Sequence, residues 1–537
     1  MRRSMVGCFL LFVMGIVPHS LRAQVAYGTI LGGVTDASGA AVPQANITVV
    51  NMKTSVANTV KVGGAGDYSV GNLFPGEYQV TVEAEGFSTF VASHLVLLVD
   101  QKLRVDAVLR PGAVTTQVVV TSVAQLVDTD SSTVGKVVEN EQIENMPLVS
   151  RNFVELAALS PGVVSQPAAP AGINSGEVGT LYTGAYWRTA LAGGTLWVGG
   201  GREDQNQWYI DGTDNNDPGF QTPAVTPPID SIQEFKIMTK DYSAEFGGAQ
   251  AQVAIAIKSG TNAFHGTAYD FFRNDVLDAR GFFDTVNPQT GRSKPQLRYN
   301  QFGGTLGGPI KRNKWFFFGG YEGTRNHDLG FERGIVPTTA ELSGNFSALS
   351  TPIYNFKTGQ PYAGNIVPVN AKIQQLLSDP YLVPPNISLP GGINLAASTF
   401  NVDTISEVTA RVDGKITDRD SLFVRVSIQN ETLNQPSIYP LNGLAWVQDG
   451  RNAAVGYDHT FSAHLINEFR VGYLRPLSRE GQQTGGQCYA QALLPASKRT
   501  RSSAEPPLRR FPGSPPTAAN PSARLCTSRF PRAWLTP

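Results

Sequence analysis

A mainly β chain is predicted, on three observations. Charged residues make up 16% of the 537 residues while Gly (55) and Pro (35) abound, a balance of turn formers over helix formers. Short alternating runs bounded by Gly, Pro, Asn and Asp recur from Thr29 to Tyr473. Past the first residues the richest apolar run, Leu95–Val99, is strand-sized, far short of the about 20 residues a spanning helix needs. The expected order is a β-sandwich, an α+β unit, and an incomplete antiparallel sheet of transmembrane-barrel type. The length suits roughly three or four domains. Lys+Arg and Asp+Glu balance at 43 each, which leaves no net field to recruit nucleic acid.

Arg2-Arg3 precede an apolar run from Met5 to Val17, and Leu21-Arg22-Ala23 ends in a small residue before Gln24. This reads as a signal peptide over residues 1–23, cleaved between Ala23 and Gln24. Cys8 lies in that run; the other thiols, Cys488 and Cys526, lie near the C-terminus. No disulfide framework or cysteine metal site is therefore expected between them.

Residues 24–112 read as the sandwich. Strands are expected at Thr29–Thr35, Ala45–Asn51, Thr59–Val62, Tyr68–Val70, Gly76–Ala84 and Lys102–Leu109, with turns at Asp36–Gly39, Gly63–Asp67 and Phe74–Gly76. Tyr78, Val80 and Val82 share one face. The runs from Gly32 to Val49 and from Asp67 to Phe87 resemble the carboxypeptidase regulatory-like domain, a carbohydrate-binding-like fold without peptidase chemistry. Sugar binding would be an analogy of fold alone.

The stretch Arg202–Asn262 is the most distinctive. Strand-like runs Gln207–Ile210, Ile232–Met238 and Val253–Lys258 are punctuated by Ile210-Asp211-Gly212 and by Phe246-Gly247-Gly248. With Ile229–Phe235 and Ala251–Gly260, these motifs stand in the order found in the plug domain of TonB-dependent outer-membrane receptors, which the stretch resembles. Gln142–Val163, with a helical patch at Phe153, Leu156, Ala157 and Ser160 that Pro161-Gly162 stops, resembles the Oar-like branch. So do Phe264–Asp284 and Arg298–Ile310. The resemblance implies energised uptake of an unidentified solute, carbohydrate being one candidate, by a protein held in outer-membrane lipid. It also implies a TonB-type inner-membrane energy-coupling partner. The segment Gln117, Val118, Val119, Val120 and Thr121 has two readings: a last sandwich strand, or the TonB box that adds as a strand to that partner. TonB box and plug together are placed at 113–260.

Residues 261–485 read as the first part of the barrel, with strands at His265–Arg273, Arg298–Gly307, Lys314–Glu322, Val408–Lys415, Ser421–Ile428, Ala453–Thr460 and Ile466–Tyr473. In the fifth, Leu422, Val424, Val426 and Ile428 share the face expected to meet lipid. Trp315–Phe318 and Tyr321 are expected in an interfacial aromatic girdle. Such receptors close with about 22 strands, so a truncated or frameshifted copy is expected. After Gln487 alternation gives way to Arg and Pro, read as translation in the wrong frame, with a disordered basic tail over 486–537 as the alternative.

No catalytic, cofactor or metal site is expected. The histidines lack ligand spacing, no G-x-S-x-G elbow is present, and Asp211, Asp214, Asn215 and Asp217 lack the distal Glu of a calcium loop and suit a turn. An enzyme is not expected. A surface carbohydrate-binding or adhesion protein and a non-functional fragment are the alternatives to a transporter.

Overall fold

The computed structural model describes residues 27–482 apart from 113–116, 122–130, 147, 149–150, 167–194, 219–220, 244–245, 281–285, 287–290, 293, 371–381, 439–443 and 463–464. The expected signal peptide with its Ala23/Gln24 cleavage point, and the tail after Gln487, lie outside the described residues.

Two sheets form the sandwich. One carries β1 (Gly28–Asp36), β4 (Asp67–Leu73), β7 (Lys102–Arg104) and β8 (Ala107–Leu109), in the order β4-β1-β7 with β8 also on β1. The other orders β2 (Asn46–Asn51), β3 (Ala57–Lys61), β5 (Gly76–Glu83), β6 (Thr89–Leu97) and β9 (Gln117–Thr121) as β3-β2-β5-β6-β9. Alternation directs Ile30, Ile47, Val49, Tyr78, Val80, Val82 and Leu97 into one core. Lys102–Leu109 is two strands rather than one, both parallel to β1 in one register: Val105 N–H still donates to Leu31 O, but Gly33 N–H donates to the Asp106 side chain (2.7 Å). Gly32 permits this approach: a Cβ there would lie 2.0 Å from the Val105 carbonyl oxygen. The candidate box segment, β9, pairs in parallel with β6 from Thr89↔Gln117 to Ser93↔Thr121.

The plug has a five-stranded sheet, β10 (Val134–Glu139), β15 (Ile232–Lys240), β16 (Ala251–Ile257), β13 (Asn206–Ile210) and β14 (Thr213–Asp214), in that order. A separate pair joins β11 (Val163–Gln166) to β12 (Thr195–Val198); of two short helices, α1 (Asn140–Asn145) packs on β10 and β15, and α2 (Val154–Ala157) on the separate pair. All three strands expected here are present. The helical patch also packs as expected: Phe153, Leu156, Ala157 and Ser160 are buried. Phe153 meets Trp208 and Phe235 edge-on, at centroid distances of 6.2 and 5.5 Å.

The third unit is an antiparallel wall, β17 (His265–Asn274), β18 (Leu297–Lys311), β19 (Trp315–Gly334), β20 (Leu395–Thr417), β21 (Asp420–Gln435), β22 (Leu444–Ser462) and β23 (Leu465–Arg475), with β24 (Ser478–Gln482) continuing along β22. All seven expected strands are there, several much longer than the alternation indicated. Among the described residues the wall is open, since β17 does not pair with β23. Val408, Val424, Val426, Val447, Val455, Phe469, Val471 and Tyr473 stand exposed on one face, while Glu407, Thr409, Arg411, Arg425, Ser427, Gln429 and Asn452 are buried on the other. An apolar outside and a polar inside are the pattern of an outer-membrane barrel. The expected girdle divides: Phe316 and Phe318 point inward, and Phe318 joins the plug core. A strand cannot send neighbouring side chains to one face.

Strand connections set the orientation. Residues 312–314 and 418–419 are short links at one end; 275–296 and 335–394 are long ones at the other. Short turns mark the periplasmic end and long loops the outer one. At the short-turn end the sandwich touches the wall, through Lys415 Nζ to Asn58 Oδ1 and Asn72 Nδ2 to Asp458 Oδ1 (3.1 Å).

Candidate functional site

The site is the seam between plug and wall, and it is built differently from either. Inside the plug the contacts are apolar: Trp208, Ile210, Ile232, Phe235, Val253 and Ile255 form a dry core. Across the seam they are mostly polar. Thr226 N donates to Gln429 Oε1 (2.7 Å), Asn452 Nδ2 to Asp214 O (2.9 Å) and Asn215 Oδ1 (3.1 Å), and Ser259 Oγ to Asp413 Oδ2 (2.6 Å). Arg151 pairs with Asp230 within the plug and lies 3.5 Å from Glu322 of the wall. Apart from Phe318, which joins the plug core, such a seam can break and re-form with little apolar surface exposed, unlike a core.

Its centre is Asp211. β13 and β14 form a two-residue hairpin, Ile210 pairing with Thr213. Asp211 (φ 47°) and Gly212 (φ 76°) both have positive φ, the Asp-Gly signature of a type I′ turn. The turn holds the Asp211 carboxylate against two wall arginines. Arg411 Nη1 lies 2.8 Å from Oδ1, and Arg425 Nε lies 3.0 Å from Oδ2. Ile257 N–H also donates to Oδ1 (3.1 Å), and Arg470 Nη1 reaches the Asp211 carbonyl (3.4 Å). Arg411 and Arg425 face each other in register across β20 and β21, a like-charge pair that destabilises a sheet on its own. Asp211 from the plug and Asp413 from the wall (2.7 Å to Arg411 Nη2) neutralise it. Asp211, Arg411 and Arg425 are all almost fully buried, where an unpaired charge would cost several kcal/mol.

Of the other plug motif residues, Ile210 is in the plug core. Phe246 is buried against Tyr209 and Tyr242, and Gly247 (φ 74°) turns the chain there; Gly248 follows in the same bend. Acidic and amide side chains of the 211–217 turn cap backbone, Asp214 Oδ1 accepting from Asn216 N–H and Asn216 Oδ1 from Trp208 N–H. The box segment Gln117–Thr121 lies apart from the seam, on the sandwich. Sequence reasoning missed Arg411, Arg425 and Arg470; a basic residue on the polar face of an alternating strand was the one available signal.

Residues 256–522 match a family model described as an outer membrane beta barrel domain, and 29–110 match a carboxypeptidase regulatory-like domain. The TonB-dependent transporter Oar of Myxococcus xanthus is 28% identical over 306 residues, 55% of this chain. The chain carries a barrel domain behind a carboxypeptidase regulatory-like domain and is similar to the Oar-like TonB-dependent receptors. It spans 26% of the length of that curated relative. Among solved structures it is similar to the outer membrane transporter YddB from Escherichia coli, at 12% identity and TM-score 0.40, covering 63% of this chain and 38% of that one. The siderophore receptor PirA from Acinetobacter baumannii has 12% identity and TM-score 0.35, covering 64% and 40%. The barrel match runs past the compositional break at Gln487.

The sandwich also grips the plug. Lys236 Nζ donates to Asp100 O (3.0 Å) and Oδ2 (2.9 Å), and Val99 N–H donates to the buried Glu234 carboxylate. Burial pushes the Glu234 carboxyl up to about 8, the Val99 hydrogen bond opposing and Glu139 adding. The folded state therefore binds a proton there that the unfolded chain gives up near its ordinary value of 4.5, so stability falls as pH rises between those values and is level outside them. The urea midpoint for release of the sandwich from the plug in the full chain should drop from pH 5 to pH 8. Glu234→Gln should flatten that slope; an unchanged slope in the variant would rule Glu234 out as its source.

Proposed function

We propose that the chain carries the gate of an energised outer-membrane transporter for an unidentified solute. Asp211 is the plug's releasable catch and Gln117–Thr121 the strand by which a periplasmic TonB-type partner pulls on it. The observation that carries this is the seam itself: a plug with its own apolar core, held in a lipid-facing wall by ion pairs and hydrogen bonds centred on Asp211. A permanent packing contact has no need of such an arrangement. A body that must leave and return does. Solute would enter from the end carrying the long connections 275–296 and 335–394, and export through the segment ending at Ala23 would bring the chain to that membrane.

β9 is the last strand of its sheet, with a partner along one edge among the described residues, so its geometry suits strand addition. Single cysteines at 117 to 121 should cross-link to the partner's periplasmic domain at alternate positions, and deletion of 117–122 should abolish partner-dependent uptake. Cross-linking equal at all five positions, or none, would contradict strand addition there.

A further inference from the structure

We infer that the N-terminal sandwich is a clamp on the catch: through Tyr27 and Phe74 it closes the arginine cluster around Asp211, so the plug is released only after the sandwich lifts. The inference rests on the reading of the seam as a releasable catch. Tyr27, just ahead of β1, is buried, and burial raises its phenol well above the ordinary range, so it stays neutral. Its hydroxyl accepts from Arg411 Nη2 (3.1 Å) and the Arg470 guanidinium lies 4.5 Å over its ring. Phe74, in the turn between β4 and β5, takes Arg411 over its ring at 4.8 Å. Tyr27 also meets Phe423 of the wall edge-on at 5.9 Å and Phe74 at 6.2 Å. Two aromatic faces thus cover Arg411 and Arg470, two of the three guanidinium groups around Asp211. The rings keep water off the guanidinium faces they cover, which raises the barrier to stretching the ion pairs while the rings stay in place.

The sandwich bridges the seam as well as covering it. It holds the plug at Lys236 and Glu234, and Asn262 reaches it through its N–H to Lys53 O (3.1 Å) and Nδ2 to Thr54 O (2.6 Å). It holds the wall at Lys415 and Asp458. Yet the joint is not solid: a cavity of about 550 Å³ lies where the three units meet, lined among others by Tyr27, Phe74, Lys258 and Arg411. Discrete pairs around a cavity make a separable joint. β9 fits the same scheme. It is laddered to β6 of the sandwich, and reaches the plug through the connection from Thr121 to Val134. A pull on Gln117–Thr121 therefore loads the clamp before the plug.

The test is thiol labelling in outer-membrane vesicles holding the full chain. Cys8, Cys488 and Cys526 are replaced by Ser, and Ser231→Cys serves as reporter. Ser231 is fully buried, its hydroxyl 2.1 Å from where a Cβ on wall Gly320 would lie, so it reacts with a maleimide when the plug leaves the wall. Tyr27→Ala with Phe74→Ala should raise the labelling rate about tenfold or more, the size of two cation–π contacts plus one hydrogen bond to a charged group. Tyr27→Leu, which keeps the apolar contact with Phe423, loses one cation–π contact and the hydrogen bond and should raise it by a smaller factor, several-fold to about tenfold. Asp211→Ala should raise it in its own right. If Asp211→Ala accelerates labelling while the Tyr27 and Phe74 variants match the parent, the clamp is refuted and the catch stands. If Asp211→Ala does not accelerate it, the catch fails and the clamp with it.

Discussion

Asp211→Ala should loosen the plug from the wall by about 3–5 kcal/mol, the usual loss when one partner of a buried ion pair is removed. The change strands Arg425, whose buried Nε faces the lost carboxylate at 3.0 Å. Arg411 keeps Asp413, so Arg425 should dominate the loss. Two further variants separate this from general damage to the plug. Asp211→Asn keeps the shape and the turn but removes the charge, and should weaken the seam nearly as much. Adding Arg425→Met to Asp211→Ala removes the stranded charge, and should recover much of the loss, because apolar replacement of a whole buried pair is often neutral. Protease sensitivity of the plug against urea concentration in the full chain would measure all three. A double variant no more stable than Asp211→Ala would show that the loss comes from the turn and not from the charges.

Phe153→Ala should cost about 3–5 kcal/mol in the plug core, with roughly 0.5–1.5 kcal/mol of it from lost ring contacts. Phe153 is 1% exposed, at the head of α2, where its ring touches both Trp208 and Phe235. It therefore ties the helical patch to β13 and β15. The expected result is a lower urea midpoint for plug unfolding, read from Trp208 fluorescence, with Phe153→Leu falling between variant and parent. The two substitutions should differ in kind. Asp211→Ala frees a folded plug, whereas Phe153→Ala melts it, so only the second should expose protease sites inside β13 and β15. Equal cleavage in both variants would contradict the division into dry core and polar seam.

Local chemistry explains what could be read from the chain. Asp211-Gly212 is a two-residue turn whose φ angles its side chains dictate, and Leu422 to Ile428 alternate cleanly because one face meets lipid and the other does not. The strands lengthen where that contrast ends. From Asn401 to Glu407, β20 is mostly polar on both faces, so no period of two marks it, yet the ladder continues. β6 escaped for a related reason: Thr89 to Ala92 are buried on both faces, which hides alternation. The arginine cluster was out of reach altogether. Arg411 meets Asp211 across 200 residues, and its facing of Arg425 depends on the register set by the turn at residues 418–419. The box segment shows the limit from the other side. Its β-branched run predicts a strand, but nothing local says whether that strand belongs to the sandwich or to a partner.

The wall's inward glycines bear on how closely the plug is seated. A Cβ on Gly320 would meet Ser231, one on Gly450 would lie 2.4 Å from the Ala224 carbonyl oxygen, and one on Gly472 would lie 2.9 Å from Thr213. At each point bare wall backbone faces the plug. In mechanical terms these positions set the clearance between an inserted body and its socket. One added methyl would take up that clearance without altering any charge, turning a sliding fit into an interference fit. Substitution there can wedge or displace the plug while the ion pairs that hold it keep their chemistry.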